Sequence, residues 1–146
     1  MIRLLMNAAR KTGLGVGLLQ VINQGFRSAP KELRAVPYPD DWGRRGTLGV
    51  NLCPSLPAGL ALLLNAWREF FLRFADIGLD VLISWPYDEG GCGCPNFRPW
   101  GARGYPILAE KVFAIARENF PACRRVLSTW MYDSPRGENG RALPDS

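Results

Sequence analysis

Apolar positions along this chain follow two different periods, and the switches between them mark its elements. Over 57–75, Leu60, Leu63, Leu64, Trp67, Phe71 and Phe74 fall at helical spacing and make one broad stripe, with Arg68, Glu69 and Arg73 beside or opposite it. A second helix is predicted over 104–119, with Tyr105, Leu108, Val112 and Ile115 on one face and Pro121 as its stop. Residues 2–12 read as a further helix, ended by Gly13 and Gly15. Four short apolar runs, 16–22, 48–52, 80–85 and 125–130, have strand character. Pro86 closes the third, because proline has no amide hydrogen to give to a ladder. Residues 25–47 form a long polar loop around Tyr38 and Trp42, and a loop of that length is usually either functional or disordered. Beyond Asp133 the composition turns to Ser, Pro, Gly, Glu and Arg, so 1–133 reads as the folded domain and 134–146 as a frayed tail.

Strands that alternate with helices imply parallel pairing and right-handed crossovers. Four such strands make about half of an eight-stranded (β/α)₈ barrel, which normally needs about 250 residues. A complete four-stranded doubly wound sheet is the alternative. Gly13-Leu-Gly-Val-Gly17 lies before a strand rather than between a strand and a helix, so it reads as a helix stop and not as a nucleotide fingerprint.

In a parallel sheet the strand ends share one edge, and here those ends carry polar and aromatic groups. The first run delivers Asn23 and Gln24, the second Asn51 and Cys53, the third Tyr87, Asp88 and Glu89, and the fourth Trp130, Tyr132 and Asp133. Amide side chains supply paired donors and acceptors, and Trp and Tyr supply flat apolar faces with a polar edge. Carboxylates supply acid and base. Together these suit a sugar, with its apolar ring face and rim of hydroxyls. Each residue also has a plainer structural reading. Asp88 can cap a turn, and Glu89 can be a solvated loop residue. Trp85 and Trp130 can fill a core, and Asn23 and Asn51 can satisfy loop amides.

Composition narrows the chemistry. The 146 residues predict one domain, and an apolar content of 47% is enough for a core. There is no histidine, which excludes Ser-His-Asp and Cys-His catalysis and any histidine-ligated metal within this chain. Acid–base work therefore falls on Asp, Glu, Tyr, Cys or Lys. The net charge of +5 is scattered, with only isolated pairs such as Arg44-Arg45 and Arg124-Arg125, so no nucleic-acid partner is expected. No run reaches the roughly 18 apolar residues a membrane span needs, and residues 1–11 lack the apolar stretch of a signal peptide. Four cysteines make no disulfide framework at this size, and unpaired thiols favour a reducing, cytoplasmic compartment. Cys92-Gly93-Cys94 is a CxC pair, open to a structural, a metal-binding or a redox reading. Cys53 and Cys123 lie too far along the chain to be assigned to it, and Cys123 reads as buried packing. A metal normally asks for four ligands, so neither metal nor cofactor is expected, with Cys92 and Cys94 as the weak candidates.

The segments Trp85-Pro-Tyr-Asp-Glu-Gly-Gly-Cys-Gly-Cys94, Arg98-Pro-Trp-Gly101 and Leu127-Ser-Thr-Trp130, with Asp133, resemble bacterial carbohydrate-active proteins with a (β/α)₈ (TIM) barrel. The likeness is to glycoside hydrolases related to β-N-acetylhexosaminidases and to uncharacterised glycosidase-like families, and it covers roughly residues 14–133. In several of these an acidic strand-end motif precedes a Cys-x-Cys-x-x-Cys cluster. Phe97 stands where the third cysteine would fall, which argues against a three-thiolate site here.

The resemblance implies a partial barrel, a fragment with about four parallel strands, and an oligosaccharide or glycan as substrate. It implies Asp88 as the group that orients an acetamide, Glu89 as general acid and Asp133 as reserve. Trp85, Tyr87, Trp100, Trp130 and Tyr132, with Asn23, Gln24 and Asn51, would bind the sugar. A non-catalytic carbohydrate-binding barrel and an inactive truncated fragment are the alternatives. A half-barrel would expose apolar faces and strand edges and would tend to self-associate.

Overall fold

Three parallel strands form the sheet of the computed structural model, which describes residues 1–25, 27–36, 50–86 and 91–129. The strands are β1 (Gly17–Val21), β2 (Val81–Trp85) and β3 (Arg124–Leu127), in the order β1-β2-β3. Gly17 is in register with Val81 and Val21 with Trp85, while Val81 pairs with Arg124 and Ser84 with Leu127. Helix α1 (Ile2–Lys11) precedes β1, α2 (Pro57–Phe74) links β1 to β2, and α3 (Tyr105–Asn119) links β2 to β3. The expectation of an α/β fold with parallel strands holds.

Helix α2 starts at Pro57, whose missing amide hydrogen is no loss at a helix start. It buries Gly59, Leu63, Trp67 and Phe71, four residues apart, as a single stripe. Helix α3 buries Tyr105, Leu108, Ala109, Val112, Ile115 and Ala116. The Phe71 and Phe120 rings meet edge to face with centroids 5.7 Å apart. Leu82 and Ser84 of the central strand are buried. Strand side chains alternate in direction, so Leu19, Ile83 and Val126, which share a row, point to the other face. There Leu19 and Val126 are exposed.

The N-terminal edge of the sheet is tied by one carboxylate. Asp80 Oδ2 accepts the Val16 amide at 2.6 Å and the Arg10 guanidinium at 2.7 Å, which fixes the last turn of α1 beside the starts of β1 and β2. These two donors, the amide first, hold the Asp80 carboxyl below its ordinary range.

Two expectations change. The run 48–52 is not a fourth strand over its described residues. Asn51 and Leu52 make only isolated antiparallel bridges, to Gln24 and Arg34. Their backbone partners come from the loop that follows β1: Leu52 N–H donates to Asn23 O at 2.9 Å and Ala35 N–H to Asn51 O at 2.8 Å. The described sheet therefore has three strands where four were expected. The last strand also ends at Leu127, earlier than position 130, although Ser128 N–H still reaches Ser84 O at 3.1 Å.

Candidate functional site

The chain leaves β1 through Ile22 and Asn23, both buried, and leaves β2 through Pro86. Asn23 is fully buried and reads both polar groups of Gly91. Its Nδ2 donates to Gly91 O at 2.8 Å and to Leu52 O at 3.3 Å, and its Oδ1 accepts Gly91 N–H at 3.0 Å. An amide side chain carries donor and acceptor side by side on one planar group, which matches the N–H and C=O of a backbone residue. Gly91 has φ of 113°, a conformation that favours glycine.

On the other side, the Trp100 indole N–H donates to Pro86 O at 2.6 Å. The wide turn Trp100–Gly104 that opens α3 seats this ring, and a Cβ on Gly104 would lie 2.6 Å from Trp100 Cε3. Tyr105 Oη donates to Ser84 O at 2.7 Å, and burial pushes its phenol up to about 12. Trp67 Nε1 donates to Ile22 O at 3.1 Å and ties the end of β1 to α2. Trp100, Tyr105 and Trp67 thus each donate to a backbone carbonyl at or next to a strand end.

Three thiols meet at the same edge. Cys53 Sγ lies 3.4 Å from Cys92 Sγ and 3.6 Å from Cys94 Sγ, and all three sulfurs are within 4.8 Å of one another. Ser55 Oγ lies 3.0 Å from Cys53 Sγ and 3.4 Å from Cys94 Sγ. All three cysteines are buried and free. The S–H of Cys92 faces Cys53, which holds the Cys53 thiol below its ordinary range against the opposing effect of burial. The same contact, reinforced by burial, holds the Cys92 proton on and pushes that thiol up.

Local backbone explains the cluster. Cys53 N–H donates to Leu33 O at 2.8 Å and Gly93 N–H to Val36 O at 2.8 Å. The first turn of α2 presses on Cys53 so closely that a Cβ at Gly59 would lie 2.5 Å from Cys53 O. Cys123 is buried just before β3, toward the opposite edge, where burial raises its thiol.

The expected site residues divide into three groups. Tyr87, Asp88, Glu89, Trp130, Tyr132 and Asp133 lie outside the described residues. Asn23, Asn51, Cys53, Cys92 and Cys94 come together, but the Asn23 amide is taken up by the backbone of Gly91 and Leu52. Trp100 is fully buried, so it has no ring face for a ligand, whereas Trp85 at the end of β2 is half-buried. Gln24 is exposed and accepts from Gln20 Nε2 at 3.2 Å.

Sequence reasoning missed the part played by Cys53. A signal was present, because Cys53 and Cys92 each follow a predicted strand end, as the acids do. A separate groove of about 350 Å³ runs between β1 and α2, lined by Gln20, Trp67, Glu69 and Arg73 among others. Among the described residues no helix is long and apolar enough to cross a membrane. No family model, no curated protein and no solved structure matches this chain.

Proposed function

We propose that this chain is a carbohydrate-active domain of glycoside-hydrolase type, part of a (β/α)₈ barrel, that works with Asp88 and Glu89 at the C-terminal edge of its sheet. One observation carries the reading. Pro86 and Gly91, the residues on either side of segment 87–90, are both pinned at that edge, one by Trp100 and the other by Asn23. Asp88 and Glu89 fall between these two anchors in the sequence, and the reading assigns their carboxylates to this edge, where α/β enzymes keep their chemistry. The barrel is supported by the strand order, which follows the chain without reversal, and by the packing of α2 against α3. The exposed row of Leu19 and Val126 on the face away from the helices suits the inward face of a barrel.

The reaction is substrate-assisted hydrolysis of an N-acetylated sugar. The acetamido oxygen of the sugar attacks its own anomeric carbon, Asp88 orients the acetamide, and Glu89 protonates the departing oxygen. Glu89 then takes a proton from the incoming water. This route differs from the two-carboxylate schemes, in which the acids stand about 5 Å or roughly 6.5–9.5 Å apart. Trp85 and Tyr87 supply the ring face. Release of nitrophenol from aryl N-acetylhexosaminides tests the reading. Glu89→Gln and Asp88→Asn each lower turnover by about 10²–10⁴-fold, the usual worth of a positioned acid or base. Oligosaccharide binding without turnover, seen by calorimetry, would instead identify a non-catalytic binding barrel.

A further inference from the structure

We propose that Cys53, Cys92 and Cys94, with the Ser55 hydroxyl on the fourth side, form a binding site for a thiophilic divalent cation of the zinc type. A tetrahedral centre with Zn–S bonds of about 2.3 Å sets its sulfurs roughly 3.8 Å apart. Cys53 Sγ stands 3.4 and 3.6 Å from the other two sulfurs, and all three lie within 4.8 Å, so a cation could enter with shifts of about an ångström or less. Ser55 Oγ, at 3.0 and 3.4 Å from two of the sulfurs, marks where a fourth, oxygen ligand belongs.

Chemistry points the same way. Sulfur ligands select soft and borderline cations over magnesium or calcium. A disulfide between two of these cysteines would use two sulfurs and leave the third buried beside it, whereas a cation uses all three.

The cation's place in the fold gives it a task. Cys53 belongs to the loop before α2, and Cys92 and Cys94 to the chain just past Gly91. A bound cation would cross-link two loops at the C-terminal edge that are 39 residues apart in sequence, next to the Asn23 clamp. It would act as a structural brace for the strand-end loops. The proposal does not depend on the hydrolytic reading, and no carbohydrate assay enters its test.

The experiment uses the full chain, purified without oxygen, stripped with a chelator and titrated with zinc and then with cobalt as a spectroscopic probe. The expected result is uptake of one equivalent, a rise in melting temperature, and thiolate-to-cobalt charge-transfer absorption with tetrahedral ligand-field bands. Cys92→Ser and Cys94→Ser weaken uptake by more than about tenfold, the loss typical of even an outer-shell partner. Cys123→Ser leaves it unchanged. Should the variants fail to fold, alkylation of the wild-type protein followed by mass spectrometry decides the matter. Zinc should protect Cys53, Cys92 and Cys94 and leave the labelling of Cys123 as it was. Absence of stoichiometric uptake, uptake that survives loss of Cys92, equal protection of Cys123, or a Cys53–Cys92 disulfide in the oxygen-free protein would each overturn the proposal.

Discussion

Replacing Asn23 by alanine tests the clamp on which the whole strand-end edge depends. The side chain is fully buried and makes two hydrogen bonds of 2.8 and 3.0 Å to Gly91 and a longer one of 3.3 Å to Leu52. Alanine leaves the amide and the carbonyl of a buried glycine without these partners. Each buried orphan costs about 1–3 kcal/mol, so the expected loss for the two is about 2–6 kcal/mol. That is a large share of the roughly 5–15 kcal/mol available to a domain. Urea denaturation should show a lower midpoint with an unchanged slope.

Asn23→Asp sharpens the test. It keeps an acceptor for the Gly91 amide but turns a carboxylate toward the Gly91 and Leu52 carbonyls. At neutral pH it should be as damaging as alanine. Burial against two carbonyls raises the folded pKa of the new acid above its unfolded value of about 3.9. Its penalty is therefore present above the folded pKa and lifts as pH falls through it, because the protonated group donates again. An alanine variant within about 0.5 kcal/mol of wild type, the range of an ordinary surface change, would refute the reasoning. So would an aspartate variant as stable as wild type at neutral pH.

Three further outcomes follow from the packing. Gly59→Ala should destabilise, although alanine in a helix interior is normally better than glycine by about 1 kcal/mol. Its Cβ would lie 2.5 Å from Cys53 O, and overpacking of that kind costs about 1–3 kcal/mol. Thermal melting gives the sign directly. Tyr105→Phe should lose only about 1 kcal/mol by denaturant titration, because Ser84 O keeps the Ser128 amide as a donor. Asp80→Asn should lower the melting temperature at neutral pH. The Asp80 carboxyl sits below its ordinary range, so its contribution is full above about pH 4 and fades as pH falls through the folded value. The gap between wild type and variant should therefore close in acid, and a gap independent of pH would contradict the role given to the Val16 and Arg10 contacts.

The helices were legible because their burial follows the chain's own period. Leu63, Trp67 and Phe71 are spaced so that only one face of α2 can enter a core, and Tyr105, Leu108, Val112 and Ile115 do the same for α3. β1 and β2 were legible as short apolar runs, the latter closed by Pro86. The run 48–52 has the same apolar look, but a strand needs a neighbour with free backbone groups, and periodicity does not name the neighbour. Here Asn23, Arg34 and Ala35 took that part. Trp100 enters the sugar-binding set only through the resemblance, whereas its burial depends on Gly104 allowing the ring to close on Pro86 O. Cys53 escaped for the same reason: spacing within a motif reports local ligands, and a thiol 39 residues before its partner is brought in by the fold alone.

The most direct measurement is turnover of aryl N-acetylhexosaminides by the wild-type chain beside Asp88→Asn and Glu89→Gln, with melting temperatures taken on the same samples. The account predicts hydrolysis by wild type and its loss in both variants at unchanged melting temperature. Hydrolysis that persists in the variants, or a folded wild-type chain that releases no sugar, would contradict it.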